Sequence, residues 1–383
     1  MSESGAPPGG PVPGPYPPGP GPYRPAPPPP PGTYPPAPPP GHPAGAYPPG
    51  PPPGAYPPGP YPPPGGGGYP YGQEYGQYRP PPRGFRAPAG EPRPYHQLLR
   101  SPTYRWWRPV VSLAVGAAVA FVAVIGAAVV IGAVAAAVGG SASRSSLTEG
   151  PGGFLAGNLL IAVGTPVAMA AVAAGFLRPP GWLASVELRP RWGWLGLVSA
   201  MLVGWAVVGS LVWFALSGLP GTGGDQALLL IVLCLLTTPL QAAGEEFLVR
   251  GWITQSVGAW FARPLPGAVV AGLVSATVFA LLHGSQNVWL FGDRFAFGLV
   301  ASYLVWRTGG LEAAVALHAI SNISSIVPAA LEGSLDDALT LTEAPVGTVT
   351  LDVVMLLIGA FLVVWLARRH GVTRLGPVTP ASR

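Results

Sequence analysis

The stretch that decides the fold is Gly244-Glu245-Glu246-Phe247-Leu248-Val249-Arg250-Gly251, which closes the long apolar run from Ala227 to Leu240. It places two carboxylates and a guanidinium at membrane depth, where each charged side chain costs about 2.5–3.5 kcal/mol. If the segment is helical, Glu246 and Arg250 stand four residues apart on one face and can pair, whereas Glu245 is rotated by about 100°. The spacing predicts that Glu245 is the carboxylate left free to act.

The composition divides the chain into two regimes. Of its 383 residues 49% are hydrophobic and only 9% are charged, yet it carries 55 Gly and 54 Pro. Residues 1–103 hold most of the proline, and Gly-Ala-Tyr-Pro-Pro-Gly-Pro occurs at Gly45–Pro51 and again at Gly54–Pro60. This composition is typical of a disordered arm with polyproline II character. We interpret the arm as a cytoplasmic spacer; the alternative is a ligand for a proline-recognising partner or a self-associating segment.

Beyond the arm the sequence predicts an all-α, polytopic transmembrane helix bundle over residues 104–370, followed by a short cytoplasmic tail, residues 371–383. A helix needs about 20 apolar residues to cross the hydrocarbon core. Eight apolar runs are candidates, although the sixth is short for a crossing: Val110–Val138, Phe154–Leu177, Trp192–Leu216, Ala227–Val249, Gly267–His283, Phe295–Trp306, Leu311–Ala330 and Val349–Ala367.

Charge placement predicts the orientation. All 20 basic residues are arginine, and all but Arg144 and Arg294 lie before the first run, between the second and third, or after the fourth, sixth and eighth. The positive-inside rule then puts both termini in the cytoplasm of a multi-pass plasma-membrane protein. The arginines suit anionic lipid headgroups, and no base-reading motif accompanies them, so we expect no nucleic-acid partner. The Ala/Gly/Pro-rich, lysine-free composition points to a bacterial source, and no secretory signal peptide is visible at Met1.

Two histidines lie within the predicted spans. His283 has Phe279 one helical turn before it, and His318 has Asn322 one turn after it on the same face. A single histidine on an apolar helix is more often a hydrogen-bonded core residue than a catalyst. An intramembrane asparagine, however, is costly to leave unpaired, so the second pair indicates a polar cavity.

Together the spans contain six polar groups that we expect to converge, because each would be desolvated alone if it faced lipid: Glu245, Glu246, Arg250, His283, His318 and Asn322. Such a set suits hydrolysis. A glutamate takes a proton from water, and imidazole and amide groups stabilise an oxyanion. An alternative is that Glu245, His283 and His318 bind Zn²⁺, which acidifies a bound water. Neither His-Glu-x-x-His nor Gly-x-Ser-x-Gly is present.

The ordered set Glu245-Glu246-x-x-x-Arg250, Phe279-x-x-x-His283 and His318-x-x-x-Asn322 resembles the three motifs of the CPBP family. This family includes CAAX prenyl proteases of the Rce1 type and bacteriocin-processing enzymes, and is also called the Abi family. The similarity covers a motif core of about residues 227–330. It implies an all-helical intramembrane endopeptidase of eight spans, of either the metallo- or the glutamate type.

The resemblance also implies roles. Glu245 with His283 would activate water, His318 with Asn322 would hold the oxyanion, and Glu246 with Arg250 would form an orienting ion pair. The implied substrates are prenylated protein C-termini or, in an organism without prenylation, a membrane-associated peptide. Two other classes use the same buried groups: a non-enzymatic membrane scaffold whose charges fix helix register, and a proton-coupled carrier.

Overall fold

The computed structural model describes residues 92–100, 104–138, 149–219, 221 and 226–376. Most of the predicted proline-rich arm, residues 1–91, and the end of the predicted tail, residues 377–383, lie outside the described residues. Within the described part the chain is helical and no strand occurs, with two isolated bridges, Pro94 with Leu375 and Ser185 with Gly310. The predicted all-α class is confirmed.

Eleven α-helices follow one another in the described chain: α1 Arg108–Val138, α2 Gly150–Ala162, α3 Gly164–Phe176, α4 Trp192–Ser217, α5 Ala227–Glu246, α6 Thr254–Gly258, α7 Pro264–Leu281, α8 Val288–Thr308, α9 Glu312–Glu332, α10 Leu335–Leu339 and α11 Val346–Arg369. A π-helical segment, Phe247–Ile253, joins α5 to α6. Short 3₁₀ turns at Tyr95–Gln97 and Pro180–Leu183 precede α1 and α4.

These helices form eight candidate membrane spans, as the sequence predicted. The second span is α2 followed by α3, and the fourth is continuous from Ala227 to Gly258, so Glu245 and Arg250 lie inside a span rather than at its end. The sixth span is not short: it begins at Val288 and has 21 residues. Its first turns contain Asp293 and Arg294, and these charges concealed the true start of the helix.

The break between α2 and α3 brings the second span close to the fourth. Pro166 has no N–H to donate to the carbonyl of residue 162, which ends the first helix at Ala162. At this break, Gly164 and Gly244 face each other so closely that a Cβ on Gly244 would lie 2.8 Å from Cα of Ala162. Small residues allow such backbone approach in a membrane, and here they fix the position of the residue before Glu245.

The connections at one end of the bundle contact one another. Arg191, which precedes α4, makes a bidentate pair with Glu312 at the start of α9, with Nη2 2.6 Å from Oε2 and Nε 2.9 Å from Oε1. Arg191 Nη1 also donates to the carbonyls of Thr308 and Thr373. The pair is buried and joins α4, α8, α9 and the chain after α11. Because the arginine-rich connections meet here, we call it the basic end.

Residues 92–100, which the sequence assigns to the arm, pack into this end. Tyr95 and Leu98 are buried in the main core, and the Tyr95 hydroxyl donates to the Leu183 carbonyl. Gly376, assigned to the free tail, donates its N–H to the Arg93 carbonyl across 2.6 Å. The fold therefore extends beyond both predicted limits of the membrane domain, because Tyr95 and Leu98 pack into its buried core. The cytoplasmic location of the basic end remains a prediction from charge.

Candidate active site

The site is built around the π-helical segment that follows α5. A π-turn widens the helix and frees backbone carbonyls, and such turns are frequent at functional sites. The Val249 carbonyl accepts hydrogen bonds from the hydroxyls of Thr254 at 3.0 Å and of Ser275 on α7 at 3.4 Å. These hydroxyls satisfy the widened turn inside the membrane and fix the orientation of Arg250.

Glu246 lies at the centre of a buried charged group. Its Oε1 is 2.9 Å from Nη1 of Arg250, and both side chains are fully buried, so the ion pair expected from the spacing is present. The same oxygen lies 2.9 Å from Nδ1 of His318 on α9. An ionised carboxylate has no proton to donate and can only accept a hydrogen bond. Nδ1 of His318 therefore carries the proton, and Nε2 points away from Glu246. Glu246 therefore orients an imidazole from another span.

Two phenylalanines enclose this group. The guanidinium of Arg250 lies 4.1 Å from the ring centre of Phe279 on α7 and 5.7 Å from that of Phe297 on α8. Both rings also meet His318 edge-on, at 5.6 and 4.9 Å. Cation–π attraction partly replaces the hydration that Arg250 loses on burial. The aromatic rings thus hold the arginine and the imidazole in a dry environment.

Glu245 is the more accessible carboxylate, with 19% of its side chain exposed. Its Oε2 lies 3.8 Å from Nε2 of His318, so Glu245 does not point away from the group as the helical rotation suggested. Gln241, one turn earlier on α5, donates to Oε1 of Glu245 and accepts from Nδ2 of Asn322 at 3.1 Å. A glutamine thus joins the first and third motifs.

His283 stands just beyond the end of α7. Its Nδ1 donates to the Phe279 carbonyl at 2.8 Å, which leaves Nε2 as the acceptor of a neutral ring, and its ring lies 4.7 Å from that of Phe279. Burial lowers the pKa of His283, whereas the Phe279 carbonyl and the negative charge of Glu245 act to raise it. The structure thus brings four of the six predicted residues into direct contact, joins Asn322 through Gln241 and places His283 beside them.

Comparisons with known proteins identify the segment that contains this site. The family model described as "Type II CAAX prenyl endopeptidase Rce1-like" matches residues 226–324, which include all three motifs. Residues 226–324 are therefore similar to this family. The resemblance inferred from the motifs is confirmed for this segment, which is well under half of the chain.

The similar bacterial protein that this comparison found adds no information about function. An uncharacterized protein, YyaK, of Bacillus subtilis (strain 168) is 28% identical over 100 residues, which cover 24% of this chain and 32% of YyaK. The chain thus matches about a third of the length of that curated relative. No solved structure matches the chain at a comparable level of significance.

The segment of residues 226–324 has donors of the type that zinc prefers, but they do not form a three-ligand group. The described residues contain no group of three or more His, Cys, Asp or Glu side chains placed to hold a metal ion. The proposed zinc ligands Glu245, His283 and His318 therefore do not fit a metal site in this arrangement.

Sequence reasoning missed two residues of the Rce1-like site and two further acids. Gln241 and Phe297 gave no signal, because a neutral amide and an aromatic ring are ordinary in an apolar helix. Asp293 on α8 and Asp352 on α11 lie in candidate spans. A search for single charges within apolar runs, without fixed helix ends, would have found both acids.

Proposed function

We propose that the chain is an intramembrane endopeptidase in which Glu245 activates a water molecule to hydrolyse a peptide bond. The observation that carries this proposal is that the two adjacent glutamates differ in burial and in hydrogen-bond partners. Glu246 is fully buried between Arg250 and His318, whereas Glu245 is partly accessible, is oriented by Gln241 and faces Nε2 of His318 at 3.8 Å. One carboxylate orients and the other is available to react.

The space between Glu245 and His318 suits a bridging water, since polar atoms farther apart than 3.5 Å are often joined by one. In the proposed step, Glu245 takes a proton from this water while the water oxygen attacks the scissile carbonyl carbon. His283 Nε2, a hydrogen-bond acceptor, helps to orient the water. In the proposed step His318 is an imidazolium throughout: it donates Nδ1–H to Glu246 and, together with the second N–H of Asn322, donates Nε2–H to the developing oxyanion.

Collapse of the tetrahedral intermediate breaks the carbon–nitrogen bond, and Glu245 returns its proton to the leaving amine. The first product is released as a carboxylic acid, which gives its proton to the released amine and becomes a carboxylate, and the catalytic groups regain their initial states. Glu246 stabilises the charged form of His318 during the step, as a buried carboxylate does for a catalytic imidazole. No metal takes part in the proposed step.

The proposed substrates are membrane-associated or prenylated proteins and peptides. The flanks of the site are apolar and exposed on the lipid-facing surface, with Leu236 and Leu240 on α5 and Leu281 and Leu282 beside His283. A substrate with an apolar anchor can reach Glu245 along such a surface. The matching family is described as a prenyl endopeptidase, which supports the same substrate class.

The test is hydrolysis of fluorogenic peptides, prenylated and unprenylated, by the purified full-length protein in detergent. We expect Glu245→Gln to lower kcat by at least about a hundredfold, as loss of a general base does. Glu332→Gln, an exposed acid at the end of α9, is the matched control and should leave kcat unchanged. Full activity of Glu245→Gln would remove this residue from the chemistry, and a folded wild type that cleaves nothing would favour a scaffold or carrier.

A further inference from the structure

Two arginines of the described chain lie inside candidate membrane spans rather than at their ends. Arg250 lies in the fourth span, and Arg294 lies in the second turn of the sixth. A charged side chain inside a span is costly and usually belongs to a functional site. The proposed hydrolysis gives a role to Arg250 but none to Arg294. The second arginine therefore needs an explanation of its own.

The two arginines differ in the acceptors that the protein supplies. Nη1 of Arg250 lies 2.9 Å from a carboxylate oxygen of Glu246. Nη1 of Arg294 instead donates to the neutral amide oxygen of Gln286 at 2.6 Å, and this half-buried arginine forms no ion pair with any described residue. Asp293 offsets part of its charge from the adjacent position without pairing with it. The guanidinium of Arg294 thus keeps N–H donors for a further acceptor.

The packing of α7 against α8 places Arg294 next to the proposed active site. The rings of Phe279 on α7 and Phe297 on α8 are stacked, with their centres 5.4 Å apart. His283 follows Phe279 by four residues, and Arg294 precedes Phe297 by three, so each lies one turn from the stacked rings on the same side of its helix. The short connection 282–287 makes the two helices antiparallel. Arg294 and His283 therefore share the next layer of the fold.

A glutamine holds the guanidinium in this layer. Gln286 accepts from Arg294 through Oε1 and donates through Nε2 to the Ala280 carbonyl at 2.7 Å. The backbone N–H of His283 donates to the same carbonyl at 3.4 Å. Besides burial, the positive charge of Arg294 acts to lower the pKa of His283, as expected for neighbouring groups. Because the arginine is held before a ligand arrives, less side-chain entropy is lost on binding.

We propose that Arg294 binds a carboxylate of the peptide substrate and makes the site selective for peptides with a negative charge near the scissile bond. This inference rests on the proposed hydrolysis and names a feature of its substrate. A guanidinium binds a carboxylate through two parallel N–H donors, and such pairs are stronger than neutral hydrogen bonds. The substrate thus supplies to Arg294 the kind of partner that Glu246 supplies to Arg250.

The spacing of the layers limits where the carboxylate lies in the substrate. Three residues of α8 rise about 4.5 Å along the helix axis. An extended peptide advances about 3.3 Å per residue. The carboxylate should therefore lie within about three residues of the bond that is cut. A C-terminal carboxylate and the side chain of an Asp or Glu offer the same chemistry at this distance.

The experiment compares four fluorogenic peptides that share one sequence and one apolar anchor. The first is amidated and neutral, the second has a free C-terminus near the scissile bond, and the other two are amidated and carry a Glu shortly before or shortly after that bond. Mass spectrometry of the products identifies the bond that is cut. The full-length wild type is compared with Arg294→Gln. The matched control is Arg369→Gln, which removes the same charge from an exposed position in the last turn of α11.

We expect the wild type and Arg369→Gln to cleave the best acidic peptide with a kcat/KM at least about tenfold above that of the neutral peptide, as one charge-assisted pair provides. In Arg294→Gln this ratio should fall to about one, since its amide cannot pair with a carboxylate as a guanidinium does. Damage to the fold would lower both rates and leave the ratio unchanged. A preference for the free C-terminus or for one Glu position identifies the source of the carboxylate. A wild type without preference for any acidic peptide would overturn the proposal, as would an unchanged ratio in Arg294→Gln.

A binding measurement separates this inference from the proposed function. In the Glu245→Gln background, fluorescence anisotropy should show that the best acidic peptide binds about tenfold more tightly than the neutral one, and Arg294→Gln should remove the difference. A wild type that cleaves no peptide would contradict the proposed hydrolysis, while equal affinities for acidic and neutral peptides would contradict the role of Arg294. If Arg294→Gln does not fold, Arg294→Lys replaces it, because lysine keeps the charge but lacks the paired donors. An undiminished preference in Arg294→Lys would then count against the proposal.

Discussion

Oε1 of Glu246 lies 2.9 Å from Nδ1 of His318, so a carboxylate from the fourth span orients an imidazole from the seventh. The same oxygen accepts from Arg250, while Oε2 of Glu246 has no hydrogen-bond partner among the described side chains and backbone atoms. The three groups therefore form one electrostatic unit, and removing either Glu246 or Arg250 would leave the other as a buried charge without its opposite. The unit links the helical framework to the proposed chemistry.

Removal of Arg250 should destabilise the fold. The Arg250→Ala variant leaves the carboxylate of Glu246 fully buried without its cation, which costs about 3–5 kcal/mol when one partner of a buried pair is lost. We expect a markedly lower midpoint in SDS or thermal unfolding, together with loss of hydrolysis. The surface pair Arg189 and Glu187 provides the comparison, because 55% of the Arg189 side chain is exposed. Arg189→Ala should change stability by less than about 1 kcal/mol. Equal midpoints for the two variants would contradict the role given to Arg250.

Gln241 should act as a positioning residue. It holds Glu245 and Asn322 at once, so Gln241→Ala frees both side chains without removing a charge. We expect kcat to fall by about ten- to a hundredfold, the usual effect of losing a residue that orients a reactive group, with KM and the unfolding midpoint nearly unchanged. Ser325→Ala on α9, whose hydroxyl contacts only its own helix in the described structure, is the control. A raised KM with normal kcat would assign Gln241 to substrate binding instead.

The close approach at Gly244 should be intolerant of any side chain. A Cβ at this position would collide with the carbonyl oxygen of Ile161 and would lie 2.8 Å from Cα of Ala162. Since both obstacles are backbone, Gly244→Ala must separate the second and fourth spans and displace Glu245. We expect loss of hydrolysis and lower stability. Gly204→Ala on α4 is the matched control, because no atom lies within 4 Å of its Cβ position and alanine favours the helix. Similar behaviour of the two variants would show that the approach at Gly244 is not essential.

The fold and much of the site were predictable for a simple physical reason. A helix is the only single segment that forms all of its backbone hydrogen bonds within itself, as lipid requires, so eight apolar runs indicate eight spans. Charges inside such runs are conspicuous, and this is why Glu246, Arg250 and His318 stood out. The pairing of Glu246 with Arg250 follows from their separation by four residues on one helix.

Other features depend on contacts that the sequence does not encode locally. Arg191 and Glu312 are 121 residues apart in the sequence. Considered separately, each looks like an ordinary charged residue at a helix end. The contact of His318 with Glu246 requires the packing of α9 against α5, which no periodicity specifies. The π-turn depends on the hydroxyl of Ser275 from another helix, and the role of Gln241 depends on that packing as well. The assignment of catalytic roles stays a prediction.

The docking of residues 92–100 should weaken in mild acid. Burial lowers the pKa of His96 to about 4, although its Nε2–H donates to the Pro264 carbonyl at 2.9 Å. The folded state therefore holds His96 neutral, while the unfolded state takes a proton near pH 6.5. Stability is fully present above about pH 6.5 and falls as the pH drops toward 4, by about 2 kcal/mol at pH 5.

The measurement is the unfolding midpoint of the full-length protein at pH 7.5 and pH 5. His96→Gln keeps a side-chain donor for Pro264 but cannot titrate, so its midpoint should depend less on pH than that of the wild type. A wild type and variant with the same pH dependence would assign the acid effect to other groups.

Hydrolysis should withstand metal chelation. The donor atoms of Glu245, His283 and His318 do not form a three-ligand group in the described structure. If Glu245 removes the proton from water directly, EDTA or 1,10-phenanthroline should change kcat by less than about twofold, because general-base catalysis by a carboxylate needs no metal. The control is the Glu245→Gln variant, which should stay inactive with or without added Zn²⁺. Activity that disappears with chelator and returns with Zn²⁺, in protein shown to remain folded, would mean that the helices rearrange to bring these three ligands together.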